Sequence, residues 1–227
     1  MYWNEPSSYP ALKRNPNLNY TRKWRYRGLP VIHGRGPLIT QYLDSIIDTL
    51  EKALSESPEI VVYRFDLRFP YWVGADDIGE MGQNLITKFW ASVTSQLIAC
   101  DKRLKGNVSF VSGSRRRNIW CKELPRIDGT PHYHAALILD SEFFEIIRDI
   151  YQSTSLEKIV KEAWARIIGV PLYESPNAVW IPENNIYYVS RDDPNSYAEA
   201  FERLSYLAKS STKLYHDGSQ WFRATSF

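Results

Sequence analysis

The sequence predicts an α+β fold built on an antiparallel sheet, and three observations predict it. Strand-length runs near 60–69, 115–123 and 132–139 carry apolar alternation. Amphipathic stretches of helical period separate them. Asp128-Gly129, between the second and third runs, suits a type I′ hairpin turn, which joins antiparallel neighbours. A chain of 227 residues with 44% hydrophobic residues is long and apolar enough for one large domain, or one domain with a tail.

Residues 1–36 have prolines at 6, 10, 16 and 30 and no sustained periodicity, which predicts an extended arm ahead of a domain over 37–227. The net charge of +2 hides an asymmetry. Residues 1–35 hold seven basic residues against Glu5, whereas the remainder has 21 basic and 25 acidic residues. Within the arm, Arg22, Lys23, Trp24 and Arg25 interleave cations with an aromatic ring. That pattern can neutralise phosphates and stack on unpaired bases; packing of the rings onto the domain is the alternative.

Pro37 at a helix start is followed by apolar positions Leu38, Tyr42, Ile46 and Leu50, predicting the first helix. In the first strand Val61, Tyr63, Phe65 and Leu67 share one face, and Arg64, Asp66 and Arg68 the other, so a half-buried strand is expected. A loop with Asp76-Asp77 leads to a helix over about 83–99. The second strand opens on Arg115-Arg116-Arg117, a solvated edge or a set of backbone contacts to a nucleic acid. After the third strand come helices over 141–151 and 156–168, the second capped by Thr154 and Glu157 and stopped by Gly169. Short strands are expected near 179–181 and 186–189. Ser196 with Glu199 then forms a capping box, starting a helix that runs to Lys209.

The chemistry concentrates in Pro131-His132-Tyr133-His134. Two of the four histidines lie two apart at the head of an apolar run, so on a strand both imidazoles project from one face. With Asp128 and Gly129 central in the turn, paired positions sum to 257, which sets Glu123 opposite His134 on that same face. One carboxylate and two imidazoles then converge on a divalent ion. In the last helix Tyr197, Phe201, Leu204 and Ala208 form the apolar stripe. At ~100° per residue Tyr206 lies roughly 170° from its centre, with Lys209 and Lys213 nearby. Tyr206 reads as a surface tyrosine, or, beside a metal site, as a reacting group.

Glu123, then Pro131-His132-Tyr133-His134, then Ser205-Tyr206-Leu207-Ala208-Lys209 resemble, in order, the motifs of HUH endonucleases that initiate rolling-circle replication. Tyr42-Leu43, the segment Arg64-Phe65-Asp66-Leu67-Arg68-Phe69-Pro70 and Ala163-Trp164 make the chain look closer still to inovirus-type replication proteins and their YagK/YfjJ C-terminal relatives. The resemblance spans about residues 37–223. It implies a Rep-type (HUH) fold, a central antiparallel sheet flanked by helices with the His-x-His strand in its middle. It also implies sequence-specific nicking and joining of single-stranded DNA at a replication origin of a phage, prophage or plasmid. Glu123, His132 and His134 would hold Mg²⁺ or Mn²⁺. Tyr206 would attack to leave a 5′-phosphotyrosine, Lys209 would lower its pKa or orient the phosphate, and Arg64, Arg68, Arg115, Arg116, Arg117 and Lys213 would contact DNA beside the arm.

The same three ligands suit zinc hydrolysis or non-haem iron chemistry, but neither needs a tyrosine–lysine pair. A non-catalytic single-stranded nucleic-acid-binding module, or a relaxase or transposase using the same chemistry, are the alternatives. No Gly-rich phosphate loop followed by Lys-Ser/Thr occurs, so unwinding is expected to rely on a host helicase. The two cysteines make no disulfide framework, no signal pattern opens the chain, and no apolar run approaches the ~20 residues that span a bilayer. A cytoplasmic protein with no membrane partner is expected.

Overall fold

The computed structural model describes residues 15–74, 84–104, 116–124, 130–151, 155–213 and 220–225. The Asp128-Gly129 turn, Asp76-Asp77, Arg115 and the Thr154 cap lie outside the described residues.

Strands β1 (Tyr20–Thr21), β2 (Arg25–Tyr26), β3 (Leu29–Pro30) and β4 (Leu38–Ile39) precede α1 (Thr40–Glu56) and β5 (Glu59–Leu67). Then follow α2 (Leu85–Leu104), β6 (Arg116–Glu123), β7 (His132–Asp140), α3 (Ser141–Tyr151) and α4 (Ser155–Ile168). The chain continues through β8 (Val179–Trp180), β9 (Ile186–Ser190), α5 (Pro194–Ser205), a 3₁₀ turn (Tyr206–Ala208) and β10 (Phe222–Ala224). The architecture is mixed α+β, with a six-stranded antiparallel sheet and five α-helices among the described residues. The sheet order is β10-β6-β7-β5-β8, with β9 also paired to β5. The His-x-His strand β7 is therefore central.

Helices cover both faces. On one, Phe65, Leu67, Tyr133, Ala135 and Trp120 pack with Phe89 of α2 and Trp164 of α4. On the other, Val62, Ala136, Ile138, Ile119 and Cys121 pack with Leu43 and Leu50 of α1 and with Phe201 and Leu204 of α5. The expected half-buried first strand is thus buried on both sides, as a strand between two helix layers must be. Its charged face survives there because the charges satisfy one another: the Arg64 guanidinium donates to Asp66 Oδ1 (2.6 Å) and to the carbonyl of Ala135 (3.1 Å).

Two helix starts differ from expectation. Pro37 does not open α1; Leu38 and Ile39 pair instead with Thr21 and Tyr20, and the Thr40 amide donates to Asn19 O. The cap of α5 is Asp193, whose carboxylate accepts from the Asn195 amide with Pro194 in the first turn. Ser196 instead donates to the Asp193 carbonyl and accepts from the Ser190 amide, tying β9 to α5.

Residues 15–39 pack on the domain. Val31 is buried with the α1/α5 core, the Ile32 amide donates to Ser205 Oγ (2.8 Å), and Tyr26 Oη donates to Asp44 (2.8 Å). Ser210 donates to the Pro37 carbonyl, and Leu38 bridges to Lys209. The N-terminal segment thereby backs the turn that carries Tyr206.

Phe201 is fully buried and seats α5 on the sheet. Phe201→Ala is expected to cost about 3–5 kcal/mol of unfolding free energy by urea titration. A loss below ~1 kcal/mol would mean that α5 is held by its ends alone.

Candidate metal and tyrosine site

The site is assembled on the α1/α5 face of the sheet. Glu123 pairs with His132 and Cys121 with His134, so paired positions sum to 255 rather than the expected 257. A shift of two preserves the face, because side chains alternate with period two, and the three groups still converge. His132 Nε2 and His134 Nε2 are 3.1 Å apart. Glu123 Oε2 lies 3.7 Å from the first and 3.4 Å from the second. Ligands bound at ~2.1 Å to one ion stand roughly 3.0–3.4 Å apart, so this triangle suits a divalent cation. Glu123 supports the same conclusion: it is 2% exposed, and its Oε1 has no hydrogen-bond partner among the described residues.

Sequence reasoning missed Asp66. It lies opposite His134 across β5–β7, and its Oδ1 sits 2.7 Å from His134 Nδ1. A proton on Nδ1 shared with this carboxylate leaves Nε2 free to ligate. The available signal was the placement of Asp66 among charges on one strand face. Pairing with a strand some seventy residues away could not be read from local pattern.

Burial alone would raise the Asp66 carboxyl, but Arg64 and His134 outweigh it and hold it well below the usual range. Burial also opposes ionisation of Glu123, and here His134, Lys213 and Lys209 outweigh it in the same direction. Burial, then the neighbouring His134, lowers His132 to about 4. His132 is therefore neutral and able to ligate at neutral pH. An imidazole with a depressed folded-state pKa stabilises the fold above its unfolded value of ~6.5, and that contribution is lost as pH falls toward 4. In chelator, the melting temperature should fall over that window, and His132→Gln should flatten the fall. An unchanged slope in the variant would remove His132 as its source.

The tyrosine lies beside this triad. α5 tightens into a 3₁₀ turn at Tyr206 rather than continuing to Lys209 as an α-helix. In a 3₁₀ turn side chains i and i+3 eclipse, which brings Lys209 over Tyr206. Lys209 Nζ donates to Tyr206 Oη (3.2 Å) and lies 3.2 Å from Glu123 Oε2. The Tyr206 ring meets the His134 ring edge-on at 4.9 Å. Tyr206 is half-buried and Lys209 buried. The expected lowering of the Tyr206 pKa by Lys209 operates but is outweighed; burial and then the Glu123 charge leave the phenol raised. Burial would lower Lys209, yet Glu123 and Tyr206 keep the ammonium strongly favoured.

The expected DNA-contact residues divide by burial. Arg64, Arg117 and Lys213 are interior: Arg64 serves Asp66, Arg117 pairs with Glu56, and Lys213 donates to the Lys209 carbonyl. In this structure their charged groups are enclosed and brace the fold. Arg116 is half-buried, while Arg68, Arg22, Lys23, Trp24 and Arg25 are exposed. Arg22, Lys23 and His33 line a cleft of about 200 Å³ together with Gly36 and Leu38. Leu38 is also bridged to Lys209.

A family model for the YagK/YfjJ C-terminal domain matches residues 21–224, nearly the whole chain. The chain belongs to the YagK/YfjJ C-terminal domain family. It is 26% identical to the uncharacterized protein YagK of Escherichia coli strain K12 over 212 residues, which cover 87% of this chain and 95% of YagK. It is 24% identical to the uncharacterized protein YfjJ of the same strain over 200 residues, covering 82% of this chain and 94% of YfjJ. No solved structure matches. The YagK/YfjJ match begins inside the N-terminal segment, at the residue where β1 pairs with β4. No described helix is long and apolar enough to cross a membrane.

Proposed function

We propose that this YagK/YfjJ-family domain is an HUH-type endonuclease and strand transferase that nicks and rejoins single-stranded DNA through Tyr206. The observation that carries the reading is the contact of one phenol with both halves of a reaction centre. Tyr206 is bonded to Lys209 and packed on His134, a member of the Glu123/His132/His134 group. A surface tyrosine has no need of a buried lysine at its hydroxyl and a ligand-capable histidine against its ring.

In this reading Glu123, His132 and His134 would hold a divalent cation, which when bound would supply Lewis acidity for phosphoryl transfer. Asp66 fixes the tautomer and orientation of His134. The Tyr206 oxygen forms the new bond to phosphorus, the bond from phosphorus to the 3′ oxygen breaks, and a 5′-phosphotyrosine and a 3′-hydroxyl result. The proton lost by the phenol balances the one gained by the 3′ oxygen. Lys209, an ammonium throughout the neutral range, donates to the phenolic oxygen and stabilises negative charge as it develops. Attack by a 3′-hydroxyl on the phosphotyrosine reverses the step without an external energy source, as initiation of rolling-circle replication at an origin requires. Arg22, Lys23, Trp24, Arg25 and Arg68 supply exposed cations and a ring for the strand, and a host helicase supplies unwinding.

Two imidazoles in the ligand set favour Mn²⁺ over Mg²⁺. The test is incubation of end-labelled single-stranded DNA containing the replicon's origin with the protein and Mn²⁺, resolved on a denaturing gel. Cleavage with Mn²⁺ and none in chelator is expected. Binding without cleavage under any divalent ion would reduce the domain to a nucleic-acid-binding module.

A further inference from the structure

Cys121, His134, Asp66 and Trp180 form one row across the sheet. Cys121 pairs with His134, His134 with Asp66, and Asp66 with Trp180. Directly paired residues share a sheet face, so Trp180 projects from the face that bears the candidate metal ligands. At ~4.8 Å per strand it stands roughly 10 Å from His134.

Burial along this row breaks at Trp180. Cys121 is 0% exposed and Asp66 and His134 are each 6%, whereas Trp180 is 51% exposed. Arg68 lies beside it, its guanidinium carbon 5.5 Å from the indole centroid and Nη2 3.8 Å from Asp66 Oδ2. The Arg68 side chain is 49% exposed, so its cation remains open to a ligand. An apolar ring held half in water, next to a half-open guanidinium, matches a nucleotide: a base for the ring and a phosphate for the cation.

We infer that Trp180 and Arg68 clamp a nucleotide flanking the scissile phosphate, the base stacking on the indole and the backbone pairing with the guanidinium. The inference rests on the single-stranded DNA reading of the neighbouring site. It adds a binding position that Tyr206, Lys209 and the three ligands do not supply. It also assigns Trp180 a role that its place on a two-residue edge strand gives no other reason for.

The test compares two probes in chelator: a short oligodeoxythymidylate, and a sugar-phosphate strand of the same length with every base removed. Base–aromatic stacking predicts that the parent protein prefers the oligonucleotide, and that Trp180→Leu erodes the preference roughly 5- to 150-fold. Trp180→Phe, which keeps a ring, should retain most of it. Arg68→Gln should weaken both probes alike and reduce the salt slope by about 0.7. An unchanged preference in Trp180→Leu, with tight parent binding, overturns the clamp and leaves the nicking proposal standing. Failure of the parent to bind either probe overturns the clamp, whereas the nicking reading stands or falls on cleavage of origin-containing DNA with Mn²⁺. Should Trp180→Leu fail to fold, the Trp180→Phe and Arg68→Gln variants decide. Loss of preference in the phenylalanine variant, or an unaltered salt slope in the glutamine variant, counts against the clamp.

Discussion

Tyr206→Phe is expected to abolish the proposed covalent protein–DNA adduct while leaving affinity for single-stranded DNA within a few-fold of the parent protein. The substitution removes one oxygen. The ring that packs against His134 remains, so the fold and the candidate ligands are expected to keep their places. Lys209 loses its phenolic acceptor but retains Glu123 at 3.2 Å, so no buried cation is left unpaired. The expected effect is therefore confined to the chemical step, read as adduct on a denaturing gel against affinity by fluorescence anisotropy. Tyr197 is the internal control. It lies on α5, the helix that leads into the Tyr206 turn, partly buried against the core, and burial raises its phenol strongly. Tyr197→Phe should leave the adduct unchanged; an adduct that survives Tyr206→Phe and is lost with Tyr197→Phe would move the reaction one helical face away.

The second large effect is expected from the ligands. Replacing His132 and His134 together by alanine should remove both cleavage and the stabilisation that a divalent ion confers. At about a hundred times its dissociation constant an ion that binds only the folded state contributes ~2.7 kcal/mol. For a domain of this size that corresponds to a rise of roughly 5–10 °C in melting temperature. The parent should show this rise with Mn²⁺ and the double variant should show none. His134 is buried and bonded to Asp66, so the variant will also be less stable than the parent in chelator. The response to the ion, rather than the absolute melting temperature, is the readout. A full Mn²⁺ shift in the double variant would exclude these imidazoles as ligands.

Much of the site was legible in the chain because its parts are local. The spacing of His132 and His134 alone sets both rings on one face. The hairpin brings Glu123 to that face whether paired positions sum to 255 or 257, since an even shift leaves alternation intact. Tyr206 and Lys209 were recognisable as a pair from their offset of three, although the turn holding them is 3₁₀.

What escaped the sequence is non-local. Asp66 and Trp180 reach the site through long-range strand pairing, and no turn chemistry announces such a register. Arg64, Arg117 and Lys213 look like surface cations in a local window. Only the second helix layer, the one formed by α1 and α5, reveals that they are enclosed. The N-terminal segment has a loop's composition, yet it holds Ser205 and Ser210 on either side of the Tyr206 turn.

The proposed function requires that Tyr206 become covalently joined to DNA beside a metal held by Glu123, His132 and His134. Its most direct test is to trap the product of origin-containing single-stranded DNA with Mn²⁺, digest it with protease, and sequence the nucleotide-bearing peptide by mass spectrometry. The expected product is a peptide carrying a 5′-phosphorylated nucleotide on the Tyr206 oxygen, with a free 3′-hydroxyl on the released fragment. A nucleotide on any other residue, or cleavage that leaves no protein-linked DNA and persists in Tyr206→Phe, would contradict it.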